Sequence, residues 1–304
     1  MTKLDYKHQS AFFNKNYTRL AYYELDGDKE IMLGEKTPQR CRFCGEDRPV
    51  FFRKKAHVIP HFIGNRALKS LYECDKCNEK FCEMESHFSN YMAFYHILSR
   101  IGRGNKKPVY KNNSKSKIVV EENNTDIYLH SDDENIKVDI NREEKTMTIH
   151  GVRSYVPIYV YKIFIKMALT IMPESEMQYL RTSLQWLMTE NATFPNLLLS
   201  IRMYEDWKAF NGACMIYKLN SNYNEKAPTY LFALTYHNFF FQTFIPLCNQ
   251  DIQLFEQTDM PHLIPCHLDK EGLGFIEKRP NLSSPTKISK EKVSLNFNVG
   301  EWTL

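Results

Sequence analysis

No stretch of this chain is apolar and long enough to span a bilayer. The most apolar one, residues 157–172, is interrupted by Lys162 and Lys166 and falls short of the roughly 20 residues a crossing helix needs. The start, Met1-Thr2-Lys3-Leu4-Asp5-Tyr6-Lys7, lacks the apolar segment of a secretory signal. A cytoplasmic protein with no membrane partner is therefore expected. There is no internal repeat and no low-complexity tract, which sets aside repeat arrays. Acidic residues are missing between Ile97 and Val120, where Arg100, Arg103, Lys106, Lys107, Lys111, Lys115 and Lys117 are all basic. Beyond about residue 113 no pair of acids suggests a catalytic couple.

What is present is an ordinary globular composition, 43% hydrophobic and 13% aromatic, and 304 residues leave room for two domains. The net charge of +4 is too small to demand a nucleic-acid partner, but it is unevenly spread. A second basic cluster, Arg53-Lys54-Lys55, lies just before His57. Either cluster alone reads as solvated surface. Together they flank one segment, as suits a phosphate backbone whose neutralisation releases counterions.

Hydrophobic spacing outlines the elements. Residues 18–25 read as a strand rich in Tyr and Leu, 26–28 as a turn, and 30–33 as the returning partner. Phe81, Met84, Phe88, Met92, Tyr95 and Leu98 recur at steps of three and four, predicting a helix over 79–101 that Gly102 and Gly104 end. Residues 111–117 read as a linker. A small meander of strands is expected at 117–120, 126–130, 136–140 and 146–150. Pro157 suits the first turn of a helix. Tyr161, Phe164, Ile165, Ala168, Leu169 and Met172 would form its buried face, with Lys162 and Lys166 opposite and Pro173 as the stop. A second helix over 174–187 would turn Met177, Leu180, Leu184 and Leu187 inward, and strands are expected at 214–219, 229–236 and 239–244. Pro280 and Pro285 argue against regular structure after Glu277.

The chemistry concentrates in fewer than forty residues. Cys41-Arg42-Phe43-Cys44 and Cys74-Asp75-Lys76-Cys77 are two knuckles, each able to aim two thiolates at one ion. In a reducing compartment such pairs are metal ligands rather than disulfides. Four thiolates make a closed, tetrahedral, structural zinc site. Cys82, Cys214, Cys248 and Cys266 lack that spacing and read as small apolar residues.

Between the knuckles runs Lys55-Ala56-His57-Val58-Ile59-Pro60-His61-Phe62-Ile63-Gly64-Asn65, and Asn78 directly follows the last cysteine. With His-Val-Ile-Pro, Gly-Asn, Cys-x-x-Cys-Asn, Glu85 and a basic Gly-Arg-Gly-Asn-Lys-Lys-Pro segment in that order, residues 41–110 resemble the HNH (ββα-metal) endonucleases. Bacterial members with four zinc cysteines are the nearest in pattern. The resemblance implies an α+β chain: a ββα-metal nuclease domain with structural zinc over 1–112, then a mixed α+β domain over 113–304. It implies His57 as general base, a role that suits an imidazole titrating near neutrality. It also implies that Asn65 orients that imidazole by a hydrogen bond, and that Asn78 holds one divalent cation, Mg2+ or Mn2+, through its carbonyl oxygen. Many members carry an acidic metal ligand where this chain has Ala56, which leaves His61 as the nearest substitute. Glu85 lies two helical turns from Asn78, about 10 Å along the axis, too far to share one ion; a supporting role is expected.

Double-stranded DNA is the implied partner, with Arg53, Lys54, Lys55, Arg103, Lys106 and Lys107 as candidate contacts. The half after residue 113 carries no recognisable reaction motif. A nuclease of low selectivity needs restraint, so that half is expected to recognise a signal, a partner protein or the target, as in an anti-phage effector; this is architectural analogy. Homo-oligomerisation stays open. The rival reading is a zinc-stabilised DNA-binding or scaffold module whose cutting has lapsed, for which Ala56 is the best argument. A zinc-ribbon protein-interaction module is a third.

Overall fold

The apolar run that Pro157 opens becomes a helix buried on every side, and the rest of the chain is arranged around it. The computed structural model of the protein describes residues 3–25, 29–36, 39–99, 109–112, 116–120, 127–130, 136–190, 192, 194–206, 209–220, 227–248, 251, 264–266, 268 and 272–298. The helices are α1 (Lys3–Asn16), α2 (Asp75–Leu98), α3 (Pro157–Ile171) and α4 (Arg181–Met188). The first strands are β1 (Tyr17–Glu24), β2 (Ile31–Leu33), β3 (Ala56–His57), β4 (Leu68–Ser70), β5 (Val109–Asn112), β6 (Ser116–Val120) and β7 (Ile127–His130). They are followed by β8 (Lys137–Asn141), β9 (Thr146–Tyr155), β10 (Ser200–Tyr204) and β11 (Phe210–Leu219). The last are β12 (Tyr230–His237), β13 (Phe239–Phe244), β14 (Phe275–Lys278) and β15 (Ile288–Asn298). The class is α+β, as expected.

The largest sheet is antiparallel, in the order β1-β11-β12-β13-β10-β14. Its central strands β12 and β13 are buried almost throughout, so both faces must be covered. α3 packs on one face, against β11 and β12. A second apolar cluster covers the other, joining Phe13 of α1 and Tyr17 to Tyr204, Leu231 and Phe240. The sheet β15-β9-β8 and α3 both pack on α2. Phe88 meets Phe164 at 4.9 Å and Tyr91 meets Tyr155 at 4.8 Å between ring centres. Gly151 of β9 permits the approach, since a Cβ there would come within 2.5 Å of the Phe94 ring. The segment around the cysteines forms a small sheet of β2, β4 and β3. β3 pairs antiparallel with β4, and α2 follows.

Several sequence expectations need correction. Residues 31–33 do not return against β1: β2 runs parallel to β4, and β1 pairs with β11 from the far half of the chain. α1 has no apolar stripe at helical spacing, so the residue pattern carries no signal for it. β5 and β6 pair across the supposed linker at 111–117. The expected meander is two sheets, β5-β6-β7 and β15-β9-β8. The helix over 174–187 is a 3-10 turn (Glu174–Tyr179) followed by α4. The polar tail forms β14 and β15, with Pro280 and Pro285 in the irregular link between them. β15 earns its place by alternation: Val293 and Leu295 face inward. Lys162 and Lys166 are not on a solvated face of α3. Burial pulls Lys162 down to about 8, and its Nζ bonds the Thr189 carbonyl beyond α4 at 2.5 Å. The expected stops at Gly102 and Gly104 lie outside the described residues.

Candidate active site

Each cysteine knuckle is a tight turn with its backbone satisfied locally. In the first, Gly45 N–H bonds Cys41 O at 2.9 Å and Cys41 N–H bonds Glu46 O at 2.7 Å, with Gly45 at φ +77°, where a side chain is disfavoured. In the second, Cys74 stands at the N-cap of α2 and Asn78 N–H closes the first helical bond onto Cys74 O at 2.9 Å. Arg42 N–H to Tyr72 O, 2.8 Å, ties one knuckle to the approach of the other. The four sulfurs lie within 4.8 Å of one another, Cys44 and Cys74 at 3.6 Å. A regular tetrahedron of ~2.3 Å Zn–S bonds has edges of about 3.8 Å, so the donor set fits zinc. Cys41, Cys74 and Cys77 are buried, and Cys44 is at the surface. Without metal, hydrogen bonding from Cys77 draws Cys41 down to about 5, while burial lifts Cys44 to about 11. Zinc bound there would take all four as thiolates, so its uptake would release protons and stabilise the fold directly.

β3 places His57 in the small sheet against β4. The residue is half-buried, opposite Lys69 in the ladder, with the His61 ring 5.6 Å away at 65°. Burial, reinforced by the positive neighbours His61, Lys69 and Lys166, holds the His57 pKa below the usual histidine value. A neutral imidazole is thus favoured, as a proton acceptor requires. His61 is exposed, on a 3-10 turn (His61–Ile63) that ends at Gly64 with φ +102°. Ala56, just before His57, is buried.

Asn65 is not where the resemblance implied. Its side chain, 0% exposed, donates to Ile59 O at 2.7 Å and Leu68 O at 2.9 Å and accepts from Leu68 N–H at 2.9 Å. The amide is spent on closing the loop between β3 and β4. His57 Nδ1 is buried with no hydrogen-bond partner. Asn65 therefore holds the loop that carries His57 and makes no bond to the ring.

Asn78, in the first turn of α2, is half-buried and hydrogen-bonds no described residue with its side chain. Glu85, further along α2, is raised by burial, which nearby Lys166 partly offsets. Among the described residues, the four cysteines form the one convergent group of three or more His, Cys, Asp or Glu. Among the described residues no other donors make a closed cation cage; the Asn78 amide oxygen is the kind of donor a hard ion takes while keeping most of its waters.

Of the basic cluster before His57, Arg53 pairs with Asp75 at 3.1 Å and Lys55 with Glu30 at 3.2 Å, all near the surface. Glu30 also grips Lys69, and these two lysines hold its carboxyl below the usual range. Such pairs are weak and exchangeable for phosphate. Lys54 is exposed. Arg103, Lys106 and Lys107 lie outside the described residues.

Sequence reasoning missed two charges at this site. Lys166 from α3 and Glu73, just before Cys74, meet at 3.0 Å with side chains 1% and 0% exposed. The signal was a lysine interrupting an apolar run, which was read as a surface position. Arg42, inside the first knuckle, was also passed over. Its guanidinium bonds the carbonyls of Leu169, Thr170 and Met172 at 2.7, 3.1 and 2.9 Å, and Glu174 at 2.6 Å.

Among the described residues no helix is long and apolar enough to cross a membrane. Comparison with curated proteins and with solved structures gives no match. The family model described as HNH endonuclease matches residues 41–92, the span from the first zinc cysteine through most of α2. Residues 41–92 are thus an HNH endonuclease domain in ββα form, with a four-cysteine cluster suited to zinc.

Proposed function

We propose that the protein is a metal-dependent endonuclease that hydrolyses phosphodiester bonds of double-stranded DNA with His57 as general base. The observation that carries this reading is the placement of His57 on β3, half-exposed in the small sheet between the two cysteine pairs in sequence and biased toward its neutral form. The imidazole takes a proton from an attacking water. The new P–O bond forms as the bond to the 3′ oxygen breaks, and that oxygen leaves with a proton from solvent. Asn78, helped by His61, would hold Mg2+ or Mn2+, which supplies charge stabilisation to the phosphate and the leaving oxygen. Asn65 keeps the His57 loop closed. Arg53, Lys54 and Lys55, with Arg103, Lys106 and Lys107, bind the DNA backbone; residues 113–304 restrain or target the nuclease, an arrangement that suits an anti-phage effector.

Ala56 favours one rival, a zinc-stabilised DNA-binding or scaffold protein that no longer cuts. Supercoiled plasmid incubated with the zinc-loaded chain and Mg2+ or Mn2+ separates the two. Nicked and linear products that vanish in His57→Ala support the enzyme. Equal cutting by the variant removes His57 from the mechanism, and binding without cutting by the wild type supports the rival.

A further inference from the structure

The half of the chain without a reaction motif reaches into the candidate active site at one point. Lys166, on α3, donates from Nζ to the main-chain oxygen of His57 at 2.8 Å. The same ammonium faces the Glu73 carboxylate at 3.0 Å, off the ideal hydrogen-bond direction, and neither Glu73 oxygen has another partner. It also lies 5.6 Å from the centre of the Phe81 ring of α2. A buried ammonium is costly unless paired and hydrogen-bonded, so its retention here calls for a reason.

The local geometry supplies one. β3 is two residues long, so few ladder bonds hold His57 in place. Glu73 precedes Cys74, the N-cap of the helix that carries Cys77 and Asn78. One cation thus ties together the strand bearing the proton acceptor, the entrance to the helix bearing Asn78, and α3. Arg42 adds a second bolt three to six residues further along, where it caps the carbonyl end of α3 from inside the first knuckle. With two bolts on one short length of helix, the nuclease segment cannot shift along α3 without breaking buried bonds.

We propose that Lys166 is a positioning residue for the nuclease reaction: supplied by the C-terminal half, it fixes His57 relative to Asn78 and makes that half part of the active site. The inference rests on the nuclease reading above. It predicts that losing the tie lowers turnover while leaving DNA affinity alone, because Arg53, Lys54 and Lys55, assigned to the DNA backbone, are exposed and make no bond to Lys166 or Glu73.

The test uses the full chain, zinc-loaded, with Mn2+ and plasmid DNA. The variant is Glu73→Gln with Lys166→Met, which removes both buried charges together and so avoids stranding one. Expected is a fall in kcat of about 10- to 100-fold, the scale of a displacement near 1 Å, with KM within about twofold and zinc content unchanged. The His57 imidazole 15N resonances, assigned with His57→Gln, should move in the same variant. If it does not fold, Glu73→Gln with Lys166→Gln replaces it, since the two amides can bond each other but the shorter side chain no longer reaches His57 O. Wild-type kcat in a folded variant overturns the positioning role while leaving the nuclease reading intact. A folded, zinc-loaded wild type that does not cut overturns both.

Discussion

Replacing Asn65 separates two roles that an asparagine close in sequence to the proposed base, His57, could play. As a partner of the imidazole, it would affect chemistry and leave stability nearly untouched. In this structure it makes three hydrogen bonds to the main chain of its own loop and none to the ring. Each neutral bond contributes about 1 kcal/mol, and deleting one side leaves a buried group unsatisfied. Asn65→Ala removes all three bonds and strands the Ile59 carbonyl and the Leu68 N–H, while Leu68 O keeps a bond from Val58 N–H at 3.3 Å; it should therefore cost about 3 kcal/mol. Asn65→Asp is the sharper probe. It keeps the acceptor for Leu68 N–H but turns an oxygen toward Ile59 O and Leu68 O, at a position with no solvent access. The aspartate should destabilise at least as much as alanine despite its matching shape. Urea denaturation of the zinc-loaded chain, followed by far-ultraviolet circular dichroism, measures both. A loss below about 1 kcal/mol for Asn65→Ala, or an aspartate variant as stable as wild type, would refute the loop-closing role.

Two further outcomes follow from the same geometry. Arg42→Ala should cost about 2–4 kcal/mol, because three carbonyls at the end of α3 lose a buried charged donor. Glu174→Ala should cost under ~1 kcal/mol, since its side chain is 75% exposed against 4% for Arg42; equal losses in paired thermal melts would contradict the capping account. The pH profile of kcat/KM tests His57. The base works when neutral and burial has lowered its pKa, so cutting should persist as pH falls through 6.5, the ordinary histidine value, and decline only below it. An acidic limb centred above that value would contradict the assignment.

The knuckles, the His57 loop and most of α2 were legible because their signals are local: paired cysteines, a glycine-asparagine step, an apolar stripe at helical spacing. The sequence pattern also located α3 and strands β11 to β13. What was not legible depends on partners far along the chain. The return of 30–33 onto β1 looked reasonable until β4 and β11 were seen to take those edges. β15 is polar on one face, and its pairing with β9 joins residues such as Leu295 and Ile149, which no local window contains. Lys166 is the instructive miss. A lysine in an apolar run is usually turned to solvent, and only Glu73 and the His57 carbonyl explain why this one is not. The Asn65 role was misassigned for a related reason: side-chain type and spacing identify an amide but not which neighbours claim it.

The pairing of β1 with β11 has a consequence for the order in which the molecule comes into being. The Thr18–Asn220 bond at the end of that ladder spans 202 residues. A ribosome adding about 5–20 residues per second needs roughly 10–40 s to make that length. Throughout that interval the first strand has no edge to join, and for most of it α3, which clasps the cysteine segment, has not yet been made. The cysteine-knuckle segment is thus translated well before the helix that seats it, so the newborn chain carries it unclasped until α3 has been made.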